Sequence, residues 1–491
     1  MNNPSSYLTI GLTAILPLSA GAQQKNPKKA PNLLFVFSDQ QAYDMAGCYG
    51  NTQIITPNID RLASSGIRME NFYVNCPISS PFRGILMTGQ HTLYNGCFTN
   101  DVPLLPASGK KFAEVLRDAG YRSAYIGKWH LLGGDRNRPV PPGEMRYGFD
   151  EVFYTNNCHV NFNKGACFFF DNDGKKVFFD DWEVFGQTQQ ALEYLESMRD
   201  SEAPFALFVS WHPPHDWGKF EGEDGKMHFR YDAPPELMAY YDRDKIQVRP
   251  GLERTPDRLR MYHGHMAMTT GVDIALGRLL DKLQEIGAGE NTLIVYTSDH
   301  GDMLESFGAE LPKQYPHDYS SRVPLILSMP GKIAAGGVSP MLVCALDLMP
   351  TALGLMGLEI PATCQGMNLS GPVSGGKGKT RKLIPLWHVG NKEINFRGVV
   401  TQDYLYSTGQ SGSPLQNVLF DRKKDPHQLH NLYSDPRYVS TVARLDALTR
   451  QWMKEFGDEG WTLEDFNAKR PREWWITNRN LLPIEVMRQP Q

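Results

Sequence analysis

The sequence has few cysteines for its length, and it lacks a long apolar run. Its 7 cysteines among 491 residues are an odd number, they are widely spaced, and no Cys-x-x-Cys pair occurs. This pattern excludes a disulfide framework and gives no sign of a structural zinc site. Cys158 and Cys167 could pair in an oxidising compartment, with buried free thiols as the alternative. Beyond the N-terminal segment, no apolar run reaches the length of about 20 residues that spans a bilayer, so we expect no membrane span.

A large excess of charge is also missing. The chain has 50 Lys and Arg residues against 54 Asp and Glu residues, which gives a net charge of −4. A basic surface is therefore not implied, and nucleic acid is not an expected partner. The hydrophobic content of 41% over 491 residues is enough for a large buried core and exceeds what one small domain needs.

The first residues predict export. Residues 7–18 are mostly apolar and too short to span a membrane, and residues 19–22 are the small residues Ser-Ala-Gly-Ala. Residues 1–6 contain no Lys or Arg, although signal peptides usually begin with basic residues, and a disordered tail is the alternative. We predict a signal peptide over residues 1–22, a mature chain that begins at Gln23, and a secreted or periplasmic protein.

Strands alternate with helices over residues 31–380. Apolar runs predict strands at 32–37, 123–127, 205–210, 293–297 and 323–327, and amphipathic patterns predict helices at 58–65, 110–120 and 261–286. This alternation predicts an α/β fold with a large, mostly parallel sheet sandwiched by helices. Beyond residue 380, strands at 398–406 and 415–421 and a helix at 442–456 predict a smaller C-terminal α+β subdomain, residues 381–491, with an antiparallel sheet and a helix.

The most specific motif is the segment 79–89, Ser-Ser-Pro-Phe-Arg-Gly-Ile-Leu-Met-Thr-Gly. A proline stands two residues after Ser79, Arg83 stands four after it, and Thr-Gly stands nine and ten after it. This spacing resembles the signature of the type I (formylglycine-dependent) sulfatases of the alkaline phosphatase-like superfamily. In that family a leading Cys or Ser is oxidised to formylglycine, whose hydrate is the nucleophile. The resemblance implies that Ser79 is the nucleophile position, that Arg83 is its partner, and that residues 31–380 form the catalytic domain.

Cys76 is a second candidate for the nucleophile position, because Cys is the commoner precursor. Its spacing fails, since Ile78 stands two residues on and Ser80 stands four residues on. Ser79 itself could be a natural precursor, a replacement for Cys, or a serine that is never oxidised. If it is oxidised, a formylglycine-generating (sulfatase-maturating) enzyme is an expected partner.

Two oxygen-rich pairs follow predicted strands: Asp39-Gln40 and Asp299-His300. Open α/β sheets bind ligands at the carboxyl ends of their strands. The resemblance implies that these four residues, with the oxidised Ser79, hold a divalent cation. Carboxylate and amide oxygens suit Ca²⁺, and Mg²⁺ or Mn²⁺ are alternatives. The pairing of Asp-Gln with Asp-His resembles the branch that contains choline sulfatases and phosphonate monoester hydrolases.

Positive charge is expected from three further segments. Residues 127–130, Gly-Lys-Trp-His, resemble the family segment whose Lys and His contact sulfate and nucleophile, which implies those roles for Lys128 and His130. His215, with His212 second, matches the family's sulfate-contacting Pro-His histidine, and Lys313 matches its late lysine. A sulfate ester needs several donors that converge on its oxygens. The resemblance gives His215 and Lys313 the protonation of the departing alcohol, and it gives His130 the removal of a proton from the second hydroxyl.

The resemblance implies a sulfuric ester hydrolase that removes sulfate from a sulfated glycan or saccharide in glycan degradation, and predicted export favours such a carbohydrate substrate. Two alternatives stay open. One is a phosphonate or phosphate monoester hydrolase of the same superfamily, and the other is a non-catalytic glycan-binding protein in which Ser79 is not matured. Specificity depends on pocket loops, and the candidate substrate contacts are Asn100, His159, Trp217, Arg230, His317 and Trp387.

Overall fold

A computed structural model describes Met1 and residues 29–149 and 151–489. Apart from Met1, the predicted signal peptide lies outside the described residues. None of the helices in these ranges combines the length and hydropathy of a membrane-spanning segment. All seven cysteines lie in the described ranges and are free thiols, so the possible pair of Cys158 and Cys167 is not formed.

One ten-stranded sheet organises most of the chain. Its strands are β1 (Asn32–Ser38), β2 (Ile67–Tyr73), β3 (Arg122–Lys128), β4 (Val152–Asn156), β5 (Phe168–Phe170), β6 (Lys176–Phe178), β7 (Phe205–Ser210), β10 (Thr292–Ser298), β11 (Leu325–Ser328) and β12 (Gly337–Cys344). A separate hairpin contains β8 (Lys219–Glu221) and β9 (Met227–Phe229). The sheet order is β12-β2-β11-β10-β1-β7-β3-β4-β5-β6.

The centre of this sheet is parallel. Strands β10, β1, β7, β3 and β4 run side by side in one direction. The antiparallel pairings involve β11, which lies between β10 and β2, and the short strands β5 and β6 at one edge. Because neighbouring parallel strands end at the same edge of a sheet, the segments after β1, β3, β7 and β10 come close together.

Helices cover both faces of the sheet. In β1, Phe35 packs into the core on one face and Val36 into the core on the other, as alternating side chains of a strand buried on both sides must. The helices are α1 (Pro57–Ser65), α2 (Ser79–Thr88), α3 (Thr92–Asn95), α4 (Phe112–Asp118), α5 (Glu183–Ser197), α6 (Pro235–Met238), α7 (Pro256–Glu285), α8 (Asp318–Ser321), α9 (Leu348–Met356), α10 (Ser370–Val373), α11 (Val439–Phe456), α12 (Leu463–Lys469), α13 (Arg472–Thr477) and α14 (Pro483–Arg488). Residues of α2, α4, α9 and α11 join the first core, and residues of α1, α5 and α7 join the second.

A smaller antiparallel sheet follows near the C-terminus. It contains β13 (Ile384–His388), β14 (Phe396–Val400), β15 (Tyr404–Gly409) and β16 (Val418–Asp421), in sequential order. Helix α11 packs on it, and the Trp452 indole nitrogen donates to the Gly398 carbonyl at 3.1 Å. The predicted strand over 398–406 is wrong, because a turn closed by Thr401 and Tyr404 divides it into β14 and β15. The predicted fold class, a large mostly parallel sheet with helices and a smaller antiparallel sheet, is confirmed.

Candidate active site

Two carboxylates lie side by side where the central strands end. Ser38 of β1 pairs with Ser298 of β10, so the following residues, Asp39 and Asp299, are neighbours. Both side chains are fully buried. The Arg83 Nη2 atom lies 3.1 Å from Asp39 Oδ2 and 3.2 Å from Asp299 Oδ2, so one guanidinium contacts both carboxylates.

Ser79 is the first residue of α2, and its hydroxyl lies against this pair of strand ends. Ser79 Oγ is 3.0 Å from His300 Nε2 and 3.4 Å from Lys128 Nζ. Arg83 lies one turn further along α2, on the same face of the helix as Ser79. The amino end of a helix carries partial positive charge, so Ser79 lies where an anion is favoured.

Lys128 is the last residue of β3, and its ammonium reaches the strand ends. Lys128 Nζ lies 2.5 Å from Asp39 Oδ2. The backbone carbonyl of Lys128 accepts a hydrogen bond from Arg83 Nη1 at 2.6 Å, and Arg83 Nη1 also donates to Ser210 Oγ at 2.7 Å. Arg83 is therefore held by the ends of β1, β3, β7 and β10 together, which orients its guanidinium towards the carboxylates.

A second group of donors lies beside Gln40. Lys313 Nζ is 2.8 Å from Gln40 Oε1 and 2.6 Å from His215 Nε2. Burial and the positive charge of Lys313 lower the pKa of His215 well below its ordinary value. Burial also lowers the pKa of Lys313. Because a neutral imidazole can accept a hydrogen bond from an ammonium, these two side chains share a proton-transfer geometry.

The two neighbouring carboxylates differ in their environments. Burial alone would raise the pKa of Asp39, but the charge of Lys128 holds that pKa well below its usual range. Burial and the negative charge of Asp39 raise the pKa of Asp299 to about 7. Buried carboxylates whose oxygens lie within 4.8 Å of each other resist simultaneous ionisation, so a bound cation would favour the ionised form of both.

The donor set fits a divalent cation. Ligand atoms of Asp39, Asp299 and His300 lie within 4.8 Å of one another, and all three side chains are buried. Asp39 Oδ1 is buried and has no hydrogen-bond partner in the described part of the chain. A buried, unpaired carboxylate oxygen is costly unless a cation or donor meets it. The carboxylate oxygens suit Ca²⁺ or Mg²⁺, and the imidazole would also accept Mn²⁺ or Zn²⁺.

A cavity of about 270 Å³ opens above these residues. Its wall includes five of the predicted site residues, namely Ser79, Lys128, His130, His215 and Lys313. His130 differs from the others, because its Nε2 atom lies 3.0 Å from Asp101 Oδ1, and its structural partner is therefore a carboxylate that the sequence reasoning did not consider. The structure thus brings the ten predicted site residues to one place, with Asp39, Gln40, Arg83, Asp299 and His300 beneath the wall.

The second choices from the sequence are buried outside the cavity wall, although His212 adjoins it, with its ring centroid 5.5 Å from that of His215. Cys76 is buried 3.9 Å from His388 Nδ1, and His212 is buried with its Nδ1 atom 3.8 Å from Glu183. Among the substrate-contact candidates, Asn100 lines the cavity and accepts a hydrogen bond from the Ser80 backbone N–H at 3.0 Å.

Two other substrate-contact candidates are core residues. Trp387 is fully buried and stacks on His91, with ring centroids 4.1 Å apart. His317 is buried against Phe307 at 4.7 Å. Arg230 covers the Trp217 ring at 4.4 Å, and His159 is hydrogen-bonded to Asn137 at 3.1 Å.

Sequence reasoning missed two residues of the cavity wall. Arg136 and Cys158 line it, and Cys158 is almost fully buried there. Burial raises the pKa of Cys158, but the positive charges of His130 and Lys128 outweigh this effect and lower it to about 6. No local motif marks these residues, because loops bring them to the cavity from different parts of the chain. Their proximity to the motif histidine was visible only in the fold.

The comparisons with known proteins agree with this geometry. The profile of the family described as Sulfatase matches residues 31–358, and that described as N-sulphoglucosamine sulphohydrolase, C-terminal, matches residues 310–455. The chain is 29% identical over 475 residues to an ulvan-active sulfatase of Formosa agariphila, covering 94% of this chain and 88% of the relative. It is 27% identical over 516 residues to an endo-4-O-sulfatase of Bacteroides thetaiotaomicron, covering 94% and 99%.

A solved structure from work on glycosaminoglycan metabolism by Bacteroides thetaiotaomicron has the same fold. It superposes with a TM-score of 0.77 at 26% identity, covering 90% of this chain and all of the other. The Sulfatase profile spans well over half of the sequence, and the two strand ends and α2 lie within it. The chain is a hydrolase that belongs to the sulfatase family of the alkaline phosphatase-like superfamily.

Proposed function

We propose that this sulfatase removes sulfate from a sulfated glycan or saccharide, with an oxidised Ser79 as nucleophile and a divalent cation, Ca²⁺ first, at Asp39, Gln40, Asp299 and His300. The observation that supports this most is the position of Ser79 Oγ, 3.0 Å from His300 and 3.4 Å from Lys128. It lies at the edge of the sheet where β1 and β10 end and where the carboxylates of Asp39 and Asp299 lie. The relatives named above act on ulvan or as an endo-4-O-sulfatase, and they favour a polysaccharide or its fragments.

The chain's own residues supply positive charge and proton transfer. Lys128 and Lys313 line the cavity and can donate to a tetrahedral anion, as the stabilisation of a charged transition state requires, and Arg83 beneath them holds Asp39 and Asp299 in place. Lys313 and His215, 2.6 Å apart, form a relay that can deliver a proton to the departing alcohol oxygen. His130 is the proposed acceptor of a proton from the residue at position 79.

The divalent cation and the formylglycine would each add chemistry that the unmodified side chains lack. A divalent cation, when bound, polarises sulfate oxygens and lowers the pKa of a hydroxyl beside it. Oxidation of Ser79 to formylglycine supplies two hydroxyls on one carbon after hydration, so sulfate can leave by cleavage of the carbon–oxygen bond. A plain serine would instead need water to attack sulfur, which is the harder step.

Sulfate release from a panel of defined sulfated mono- and disaccharides tests the proposal. We expect turnover by the matured wild-type protein and a loss of about 10³-fold or more in Ser79→Ala. Cys76→Ala is the matched control, since Cys76 lies in the same segment but outside the cavity wall, and it should retain activity. Equal turnover by wild type and Ser79→Ala would reject Ser79 as the nucleophile.

A second set of substrates separates the sulfatase from the two alternative functions. Paired sulfate, phosphate and phosphonate esters of one alcohol should be cleaved fastest as the sulfate. Faster phosphonate cleavage would identify a phosphonate monoester hydrolase. Binding of sulfated saccharides without turnover, by protein from its native host with an unmodified Ser79, would identify a glycan-binding protein.

Export and maturation are further parts of the proposal. We propose that residues 1–22 are removed on export and that a formylglycine-generating enzyme oxidises Ser79. N-terminal sequencing of protein recovered outside the cytoplasm should begin at Gln23. Recovery of the intact N-terminus from the cytoplasm would reject export.

A further inference from the structure

His130 is held from one side by a charged pair. His130 is 2% exposed and lines the cavity beside Ser79. Its Nε2 atom lies 3.0 Å from Asp101 Oδ1. The same carboxylate accepts two hydrogen bonds from Arg136, from Nε at 2.9 Å and from Nη2 at 2.8 Å. A planar guanidinium that binds both oxygens fixes the plane of the carboxylate, and the carboxylate in turn fixes the imidazole.

This contact selects one tautomer of the ring. Hydrogen bonds from His130 and Arg136 hold the pKa of Asp101 well below its usual range although burial opposes them, so the carboxylate is ionised and can only accept. The proton of a neutral His130 therefore belongs on Nε2. The other ring nitrogen, Nδ1, is buried and has no nitrogen or oxygen hydrogen-bond partner among the described residues, and the Cys158 thiol lies beside the ring. A neutral ring therefore keeps a lone pair on Nδ1, in a side chain that forms the cavity wall.

Asp101 and His130, the two residues of this contact, both have an unusual backbone conformation. Asp101 has φ 63° and His130 has φ 55°, in the left-handed region that residues other than glycine seldom adopt. Backbone strain of this kind persists only where surrounding contacts determine the conformation. One such contact is the hydrogen bond from Ser80 Oγ to the His130 carbonyl at 2.8 Å, which ties the histidine to the residue next to Ser79. The geometry therefore holds the ring at a fixed place relative to the nucleophile position.

We propose that Asp101, oriented by Arg136, is a positioning residue that fixes His130 as the Nε2–H tautomer, so that Nδ1 accepts a proton in the cavity beside Ser79. The arrangement follows the logic of a carboxylate that orients a catalytic histidine in hydrolases of other folds. It rests on the proposed function, because His130 is taken as a proton acceptor in sulfate release.

The kinetic test uses Asp101→Asn. Asparagine keeps the shape of aspartate and tolerates the left-handed backbone, but it removes the charge that selects the tautomer. We expect kcat to fall by about 10–100-fold while KM changes by less than about threefold. In a His130→Gln background, Asp101→Asn should have no further effect, because it acts through the ring. Asp435→Asn is the matched control, since Asp435 also pairs with an arginine through both oxygens but lies far along the chain near the surface, and the kcat of this variant should be unchanged.

Two results would overturn the inference. One is a wild-type kcat in Asp101→Asn, and the other is an equal fold-loss in the wild-type and His130→Gln backgrounds, which a merely structural role would give. A second measurement needs neither turnover nor a folded Asp101→Asn variant, because it observes His130 in the wild-type protein. In ¹⁵N-histidine NMR spectra of the wild-type protein, with the His130 signal assigned by its loss in His130→Gln, we expect the Nε2–H tautomer once the pH is raised until the ring is neutral. The Nδ1–H tautomer would contradict the proposal even if no sulfated substrate is turned over, so its failure is distinct from failure of the proposed function.

Discussion

Removal of the Arg83 guanidinium should destabilise the protein as well as inactivate it. Arg83 is fully buried and lies 3.1 Å and 3.2 Å from the carboxylates of Asp39 and Asp299. In Arg83→Met, Lys128 still contacts Asp39, but Asp299 loses its charged donor. Leaving a buried charge without its partner costs about 3–5 kcal/mol. We therefore expect the free energy of unfolding to fall by about that amount in urea titrations at pH 9 with EDTA present, because the Asp299 carboxyl, whose pKa is about 7, is ionised there.

Two further variants check the reason for this loss. Arg83→Met/Asp299→Asn should recover part of the stability, because the uncompensated charge is gone. Arg437→Met is the matched control, since Arg437 pairs with Asp435 at the surface with a side chain that is 81% exposed, and its unfolding free energy should change by less than about 0.5 kcal/mol. A loss below about 1 kcal/mol in Arg83→Met, typical of an exposed ion pair, would refute the reasoning.

Three other predictions concern pH and metal. The pKa of Cys158 is about 6, so its alkylation by iodoacetamide should rise with pH to a plateau near pH 7, slow when inorganic sulfate fills the cavity, and be absent in Cys158→Ser. Arg397 holds the pKa of buried Asp458 below its ordinary value although burial opposes this, so their ion pair stabilises the fold above about pH 4 and is lost as the pH falls further. Arg397→Gln should therefore lower the thermal midpoint at pH 7, and the thermal midpoint of this variant should fall less in acid than that of the wild type. EDTA should abolish turnover, Ca²⁺, Mg²⁺ or Mn²⁺ should restore it, and the added cation should raise the thermal midpoint of wild type but not of Asp39→Asn.

Much of the fold could be predicted because the central strands are unusually clear. β1, β7 and β10 are mostly apolar runs, as strands buried on both faces must be, and each ends at a serine. The direction of β11 could not be predicted, because an apolar run reads the same whether the strand pairs in parallel or antiparallel. The turn that separates β14 from β15 was missed because its residues interrupt the run only briefly.

The candidate site, like the fold, could be predicted from the sequence only in part. Asp39, Asp299 and Lys128 follow or end buried strands, so the topology that the sequence predicts already brings them to one edge. Asp101 and Arg136 lie on loops, and nothing in the local pattern shows that they meet at His130. The functional roles of all these residues stay predictions until the variants above are measured.

The central claim is that the residue at position 79 carries the nucleophile. Trypsin should release residues 69–83 as one peptide that contains Cys76, Ser79 and Ser80. In protein that turns over sulfated saccharides, fragment masses should show a loss of about two hydrogens at Ser79 alone, and the modified fraction should rise in proportion to activity. An active preparation in which Ser79 is wholly unmodified, or in which the change lies at Cys76 or Ser80, would contradict the account.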